Sequence, residues 1–294
     1  MVKEEISEIV KMLNNEDPAL RQLALEKLIP FKDNQEVLDT IIKSLQDNDK
    51  DVRSYAADIL GDINDRQALI ALTHALEDRS WEVRKSAIEA FGKQKNPETV
   101  NFIITALRDS NPQVRYSSAK VLRNFTSPSI IEPLFELLRD DTESVREEAK
   151  NTLLNFKVKV PASLVAGYVL DYNKLVREVV VEFLTSRVEG NPIPHLEKAS
   201  NDKDWEIRYQ ALNEINTIIK NSEIEDPKLF DINLKALEDR NAKVRYQAIS
   251  NLAELKDARA IEPLGEIARN DEDSNNRLMA TETMTLIRRV SRLE

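Results

Sequence analysis

The 294-residue chain has no cysteine and only five glycines, and aromatic residues make up 5% of it. Without cysteine there is no disulfide, no thiolate nucleophile and no cysteine-bound zinc or iron–sulfur cluster, a usage that fits a cytoplasmic protein. So little glycine, with no Gly-rich phosphate-binding pattern, argues against a nucleotide enzyme. Long apolar runs are missing too. Residues 160–170, the most suggestive stretch, fall far short of the roughly 20 residues a membrane-spanning helix requires. Lys3, Glu4, Glu5, Glu8 and Lys11 interrupt the N-terminus, which reads as the start of a helix and not as a signal peptide. Positive charge is in deficit, with 42 basic against 52 acidic residues and a net charge of −10. Such a surface repels nucleic-acid phosphates and acidic lipid head groups unless a local basic patch overrides it. The expected partner is another protein or peptide, possibly basic; nucleic acid and membrane are disfavoured.

What the chain has in quantity is repetition. An arginine recurs at Arg21, Arg53, Arg84, Arg115, Arg146, Arg177, Arg208, Arg245 and Arg277, with spacings of 32, 31, 31, 31, 31, 31, 37 and 32 residues. One residue earlier stands an apolar side chain (Leu20, Val52, Val83, Val114, Val145, Val176, Ile207, Val244), with Asn276 the exception. Six residues earlier stands Asp47, Asp78, Asp109, Asp140, Asp171, Asp202, Asp239 or Asp271, with Asn15 in the first repeat. Four residues earlier the column reads Asp17, Asp49, Ser80, Asn111, Thr142, Asn173, Asp204, Asn241 and Asp273, all favourable helix N-caps. Pro18 and Pro112 follow, where the first turn of a helix tolerates proline. Alanines three residues past the arginine and larger apolar residues seven past it form one stripe at helical spacing.

A second amphipathic segment precedes each aspartate, as in residues 36–45 and 260–267, so each repeat reads as a hairpin of two antiparallel helices. One hairpin cannot bury its own apolar face, but stacked neighbours share a continuous core, which reconciles 41% hydrophobic residues with 32% charged ones. The expected fold is all-α, a right-handed α-α superhelix of about nine hairpins forming one solenoid over residues 1–294. Repeat one (1–31) and repeat nine (257–294, ending on Arg288, Arg289 and Arg292) are expected to act as caps, with a longer loop near residues 221–227.

The Asp-x-x-x-x-Val-Arg pattern followed by alanines and a leucine, with Ala260-Ile261-Glu262-Pro263-Leu264 opening a first helix, resembles the short HEAT-like repeat of phycobiliprotein lyases and many microbial scaffold proteins. The resemblance implies that the second helices line a concave surface. It carries three functional associations: a protein-binding scaffold or assembly factor without chemistry, a phycobilin lyase or isomerase-like subunit acting on phycobiliproteins, and a HEAT-like DNA-binding or DNA-repair protein. The net charge opposes the third. Deoxyhypusine hydroxylase, another HEAT-like family, carries repeated His-Glu pairs that hold iron, whereas His74 and His195 here stand at unrelated offsets with no ligand pattern. The scaffold is the leading expectation, with no enzyme activity and no cofactor.

Candidate sites follow from the columns. The pairs among Asp47, Arg53, Asp78, Arg84, Asp109, Arg115, Asp140, Arg146, Asp171, Arg177, Asp202, Arg208, Asp239 and Arg245 recur in every repeat and read as a structural ladder, because catalysis is local and repeat architecture is not. Residues one, five and eight past each arginine share the other side of the second helix. That side holds Tyr116, Tyr209 and Tyr246, with Tyr55 one step further on, together with Asp58, Glu89, Glu182 and Lys120. Either it is a tyrosine-studded, mostly acidic groove for a basic or amphipathic segment, or it is a plain solvated face. Trp81 and Trp205 sit in the first helical turn, as packing wedges or as partner anchors. Repeat six, with its uncharged residues 160–170 and Val179, Val180 and Val181, is either an apolar contact patch joining a weak dimer of an otherwise monomeric chain or a deeply buried helix.

Overall fold

The computed structural model describes residues 2–221 and 226–290. They pack as two compact units, residues 1–155 and 156–294. The first unit is five helical hairpins: α1 (Val2–Met12) with α2 (Pro18–Leu28), α3 (Gln35–Lys43) with α4 (Lys50–Gly61), α5 (Arg66–Ala75) with α6 (Trp81–Gln94), α7 (Val100–Ala106) with α8 (Pro112–Leu122), and α9 (Ile131–Leu137) with α10 (Glu143–Leu154). The second unit opens on a lone long helix, α11 (Lys174–Arg187). Three hairpins follow: α12 (Ile193–Ala199) with α13 (Trp205–Asn221), α14 (Lys228–Ala236) with α15 (Ala242–Leu255), and α16 (Ile261–Asn270) with α17 (Ser274–Val290).

Every second helix starts at the residue after its expected cap. The carboxylate or amide of Asp17, Asp49, Asn111, Asn173, Asn241 and Asp273 accepts a first-turn backbone N–H at 2.8–2.9 Å, a bond that stabilises a helix start by about 1 kcal/mol. Three caps depart from the expectation. Ser80 and Thr142 make no such bond, the Ser80 hydroxyl turning instead to Glu82, and the Asp204 carboxylate takes a bond from Arg177.

Repeat six also departs from the hairpin pattern. Where a first helix was expected, Val160–Pro161 forms a two-residue strand paired in parallel with Val188–Glu189, followed by 3-10 turns at Ala162–Leu164 and Ala166–Leu170. The β-branched Val158, Val160, Val165 and Val169, the fixed φ of Pro161 and the freedom of Gly167 all work against a continuous helix. The described residues thus hold eight hairpins and one single-helix repeat. The valines are the core of that repeat: Val160, Val165, Val179, Val180 and Val181 are fully buried.

The core of each unit is a ribbon, not a centre. Val52, Val83, Val114 and Val145 in the first unit, and Val176, Ile207 and Val244 in the second, are fully buried at one equivalent position. Asn276, the polar exception, is also buried and donates to the Ala242 carbonyl at 3.1 Å. Leu20 at that position in repeat one is 38% exposed. Second helices approach closely where glycine permits: a Cβ at Gly61 would lie 2.8 Å from Ala90 Cα, and one at Gly92 would lie 2.9 Å from Val121 Cγ2. The loop expected near 221–227 falls largely on residues 222–225, outside the described residues. Part of the extra length is visible as added turns of α13, which runs 17 residues to Asn221. No helix among the described residues is long and apolar enough to cross a membrane.

Candidate functional site

The inter-helix turns carry the recurring aspartate and arginine, and each residue has two tasks. The aspartate carboxylate first closes its own turn, accepting the backbone N–H two residues on. This bond is 2.7–2.8 Å at Asp47, Asp78, Asp109, Asp140, Asp171, Asp202, Asp239 and Asp271. It is an Asx turn, which explains why a short carboxylate or amide is needed there. Asn15 does the same in repeat one. The arginine reaches back over the same turn, Nη1 donating to the aspartate's carbonyl at 2.6–2.9 Å in Arg53, Arg84, Arg115, Arg146, Arg177, Arg208, Arg245 and Arg277.

The remaining guanidinium nitrogens then grip the aspartate of the following repeat in a bidentate fork. In the first unit the pairs are Arg21–Asp47, Arg53–Asp78, Arg84–Asp109 and Arg115–Asp140, with Nε to Oδ2 at 2.6–2.8 Å. In the second they are Arg177–Asp202, Arg208–Asp239 and Arg245–Asp271, at 2.6–2.7 Å. Burial pushes these carboxyls up, but the fork and the turn amide outweigh it, so Asp47, Asp78, Asp109, Asp140, Asp239 and Asp271 all titrate below the ordinary aspartate value. All the fork nitrogens and carboxylate oxygens are engaged in these bonds, and nothing in the geometry sets them facing a substrate.

The second-helix face is unequal between the units. In the first, Tyr55 and Tyr116 are half-buried, and burial, with Glu26 and Asp58 nearby, raises the Tyr55 hydroxyl pKa. Several carboxylates there are taken: Lys93 Nζ lies 2.7 Å from Asp58 and 3.3 Å from Asp62, Lys85 lies 3.5 Å from Glu89, and Arg123 pairs with Glu148. Lys120 is exposed. Sequence reading missed Lys93 because it lies on a different column of α6.

In the second unit the same face is more open. Tyr209, Tyr246 and Leu278 occupy one position in three consecutive repeats and are 36%, 42% and 60% exposed. Neither Glu182 nor Glu282 has a cationic partner among the described residues. Glu214, which accepts a bond from the Thr185 hydroxyl, is mostly buried; that burial, with Glu182 adding to it, raises its pKa. A cleft of about 470 Å³ between α15 and α17 is lined by Lys243, Tyr246, Asn275, Leu278, Met279 and Glu282. Trp205 is half-buried beneath the Lys243 ammonium, 5.3 Å from its ring centroid, while Trp81 is half-buried in the first unit. The tyrosine face is therefore built chiefly from α11, α13, α15 and α17, and Leu278, absent from the sequence-based candidates, belongs to it. Its column position was the available signal.

A buried polar cluster also escaped the sequence reading. Asn251 Nδ2 donates to the Leu212 carbonyl at 2.9 Å and to Asn233 at 2.8 Å, and its oxygen accepts from Asn216 at 2.7 Å and Gln247 at 2.9 Å. Each bond is satisfied within the core of α13, α14 and α15, which makes the cluster a fixed register between repeats seven and eight.

Models of HEAT repeats match residues 6–79, 71–154 and 230–291, and a further HEAT-repeat match covers residues 193–222. No curated protein matches the chain. Among solved structures, Kap121p bound to Nup53p is similar with a TM-score of 0.65 at 13% identity, covering 97% of this chain and 37% of that one. Importin beta gives 0.57 at 12% identity, covering 95% and 46%, and the Kap95:Nup1 complex gives 0.55 at 17%, covering 97% and 46%. The chain thus spans less than half the length of these proteins, and the likeness establishes a shared helical-solenoid fold. The arginine and aspartate columns, the stacked second helices and the HEAT matches over most of its length agree: the chain belongs to the HEAT-repeat family.

Proposed function

We propose that this protein is a non-enzymatic scaffold that holds a basic or amphipathic segment of a partner protein on the second-helix face of its second unit. The observation that carries this reading is the row Tyr209, Tyr246 and Leu278, three exposed side chains at equivalent positions, with Glu282 lining the same cleft as Tyr246 and Leu278 and Glu182 in the equivalent acidic column of α11. Tyrosine supplies a rigid contact area with a polar tip, and residues of this kind dominate binding energies. A helix or extended segment with apolar residues facing the row would place lysine or arginine against the flanking carboxylates, and the 470 Å³ cleft would take one of its larger side chains. Two of the similar folds, Kap121p with Nup53p and Kap95 with Nup1, are complexes with other proteins, which supports partner binding by a stack of this kind.

The test is fluorescence anisotropy of the full chain with a lysine- and leucine-rich amphipathic peptide and its glutamate-for-lysine counterpart. Binding should prefer the basic peptide and weaken by about tenfold or more in Y209A/Y246A, as expected when two aromatic anchors are truncated. Equal affinity for both peptides, or unchanged affinity in the variant, would dismiss the proposal.

A further inference from the structure

One buried position in the last repeat is chemically incomplete. Repeats two to eight fill the site before the arginine with a fully buried valine or isoleucine, whereas repeat nine fills it with Asn276, which is 1% exposed. Its amide is half used. Nδ2 donates to the Ala242 carbonyl at 3.1 Å and, less closely, to the Asp271 carboxylate at 3.4 and 3.5 Å, but Oδ1 is a buried acceptor without a partner. Turning the amide over is no remedy, because Oδ1 would then meet the Ala242 and Asp271 oxygens lone pair to lone pair. A valine here would leave nothing unsatisfied, so the asparagine points to a donor brought by a ligand.

Asn276 lies in the wall of the 470 Å³ cleft between α15 and α17. Asn275, Leu278, Met279 and Glu282 recur at the spacing that puts them on one face of α17, and Asn276, three residues before Met279, joins that face to the core. The lining groups with unused capacity are mainly acceptors. Asp273 spends Oδ1 on the N–H groups of Asn275 and Asn276, at 2.8 and 3.2 Å, while Oδ2 makes no bond among the described residues. Glu282 is exposed and has no cationic partner there. Lys243 is the one cation of the lining, and its ammonium is held over the ring of Trp205, which is not part of the lining.

We infer that this cleft takes an arginine side chain of the partner segment, selected by Asn276, Asp273 and Glu282; the inference rests on the protein-binding role proposed for this face. Arginine matches the wall in three respects. Its guanidinium carries five N–H donors and no acceptor, so it can supply Asn276 Oδ1 and a carboxylate together without adding an unmatched oxygen. Its plane stacks on an aromatic ring, which Tyr246 offers at 42% exposure, and its apolar stem suits Leu278 and Met279. Its charge is permanent and answers two carboxylates opposed by one lysine. Lysine presents its donors from a single atom and has no plane to lay on the tyrosine.

The experiment titrates the full, nitrogen-15-labelled chain with N-acetyl-arginine amide and with its lysine and citrulline counterparts, citrulline keeping the shape of arginine without its charge. Backbone signals of Tyr246, Asn276 and Met279 should shift and saturate with the arginine compound. Citrulline should bind about tenfold more weakly or worse, and lysine several-fold more weakly, as expected when charge-assisted hydrogen bonds are lost. N276V restores the residue type of the other repeats; it should cost about tenfold in arginine affinity while raising the melting temperature, which an asparagine kept for structure would not do. D273N/E282Q keeps a good helix cap and should cost about as much with the melt close to the parent's. No saturable shift with arginine, equal binding of citrulline, or parent-like binding in N276V overturns the inference, and should N276V melt lower, binding by D273N/E282Q decides. A concentration-dependent dimer that excludes the compound also overturns it, since the cleft then belongs to a second copy. The amphipathic peptide separates the two proposals. A peptide that weakens in Y209A/Y246A yet ignores both N276V and a lysine-to-arginine exchange leaves the tyrosine row standing and removes the arginine site. Selective binding of the arginine compound with no binding of any basic peptide keeps the site and dismisses the scaffold reading.

Discussion

The Arg84–Asp109 pair offers the sharpest test of how the repeats are joined. Both side chains are largely buried, at 14% and 12% exposure. Asp109→Ala removes two fork bonds at 2.6 and 2.7 Å and the Asn111 turn bond at 2.8 Å, leaving the Arg84 guanidinium with the Asp78 carbonyl alone. Stranding one partner of a buried pair costs about 3–5 kcal/mol. Residual access of water at the turn lowers that to about 2–3 kcal/mol, and the lost turn bond adds about 1 kcal/mol. Arg84→Met should cost about 2–3 kcal/mol, since it strands the carboxylate but preserves the turn and the aliphatic packing. The double variant should be little worse than Asp109→Ala, giving a coupling energy of about 1–3 kcal/mol. Thermal melts followed by circular dichroism, at about 2–4 °C per kcal/mol, should place Asp109→Ala about 6–16 °C below the parent. The pH dependence has a fixed sign. The Asp109 carboxyl is depressed in the fold, so its contribution is complete above its unfolded pKa near 3.8 and fades as pH falls through the folded value. The penalty of Asp109→Ala should therefore be full at pH 7 and shrink towards pH 3. Strictly additive single variants, or a penalty independent of pH, would refute the fork as the link between repeats three and four.

The other expectations concern packing and acid stability. Gly61→Val should destabilise the first unit by about 1–3 kcal/mol through overpacking against Ala90, read as a shift in urea midpoint at unchanged slope; a neutral variant would mean that α4 and α6 can separate freely. Asn251→Leu should cost more than about 3 kcal/mol, because it removes the acceptor for the buried Asn216 and Gln247 amides and the donor to the Asn233 oxygen and the Leu212 carbonyl, and amide exchange in α13–α15 should accelerate. A wild-type exchange rate there would show the cluster to be dispensable. Since six ladder carboxyls share the depressed pKa, acid unfolding of the parent should be steep and begin below about pH 4, and a titration that loses stability between pH 5 and 7 contradicts this assignment.

Much of the architecture was legible because the constraints recur. A cap residue, a valine and an arginine at fixed offsets must satisfy the same turn in repeat after repeat, so Asp49, Val52 and Arg53 announce α4 as surely as Asn241, Val244 and Arg245 announce α15. Repeat six was not legible in the same way. Its valines carry the apolar content of a helix, and only Pro161 and Gly167 hint that the backbone takes another path. Caps were over-read at Ser80, Thr142 and Asp204, where a nearby carboxylate or guanidinium offers the side chain a stronger partner than a backbone amide. The tyrosine face was half legible. Column position picked out Tyr209 and Tyr246, but whether a carboxylate beside them is free depends on cations such as Lys93, which reach across from a neighbouring helix at offsets that no single-repeat pattern contains.

The fork geometry also explains where variation can accumulate. Within one turn, the aspartate is fixed by its own amide and by the previous arginine, and the arginine by its own carbonyls and by the next aspartate, so neither can change without cost in two repeats. The position one past the arginine on the second helix takes part in neither the strap nor the fork, and in three consecutive repeats of the second unit it reads Tyr209, Tyr246 and Leu278, all exposed. A frame fixed at its turns can vary this row towards a partner without altering the stack, and a peptide preference that changes with Tyr209 and Tyr246 while the melting temperature stays put is the signature of that division.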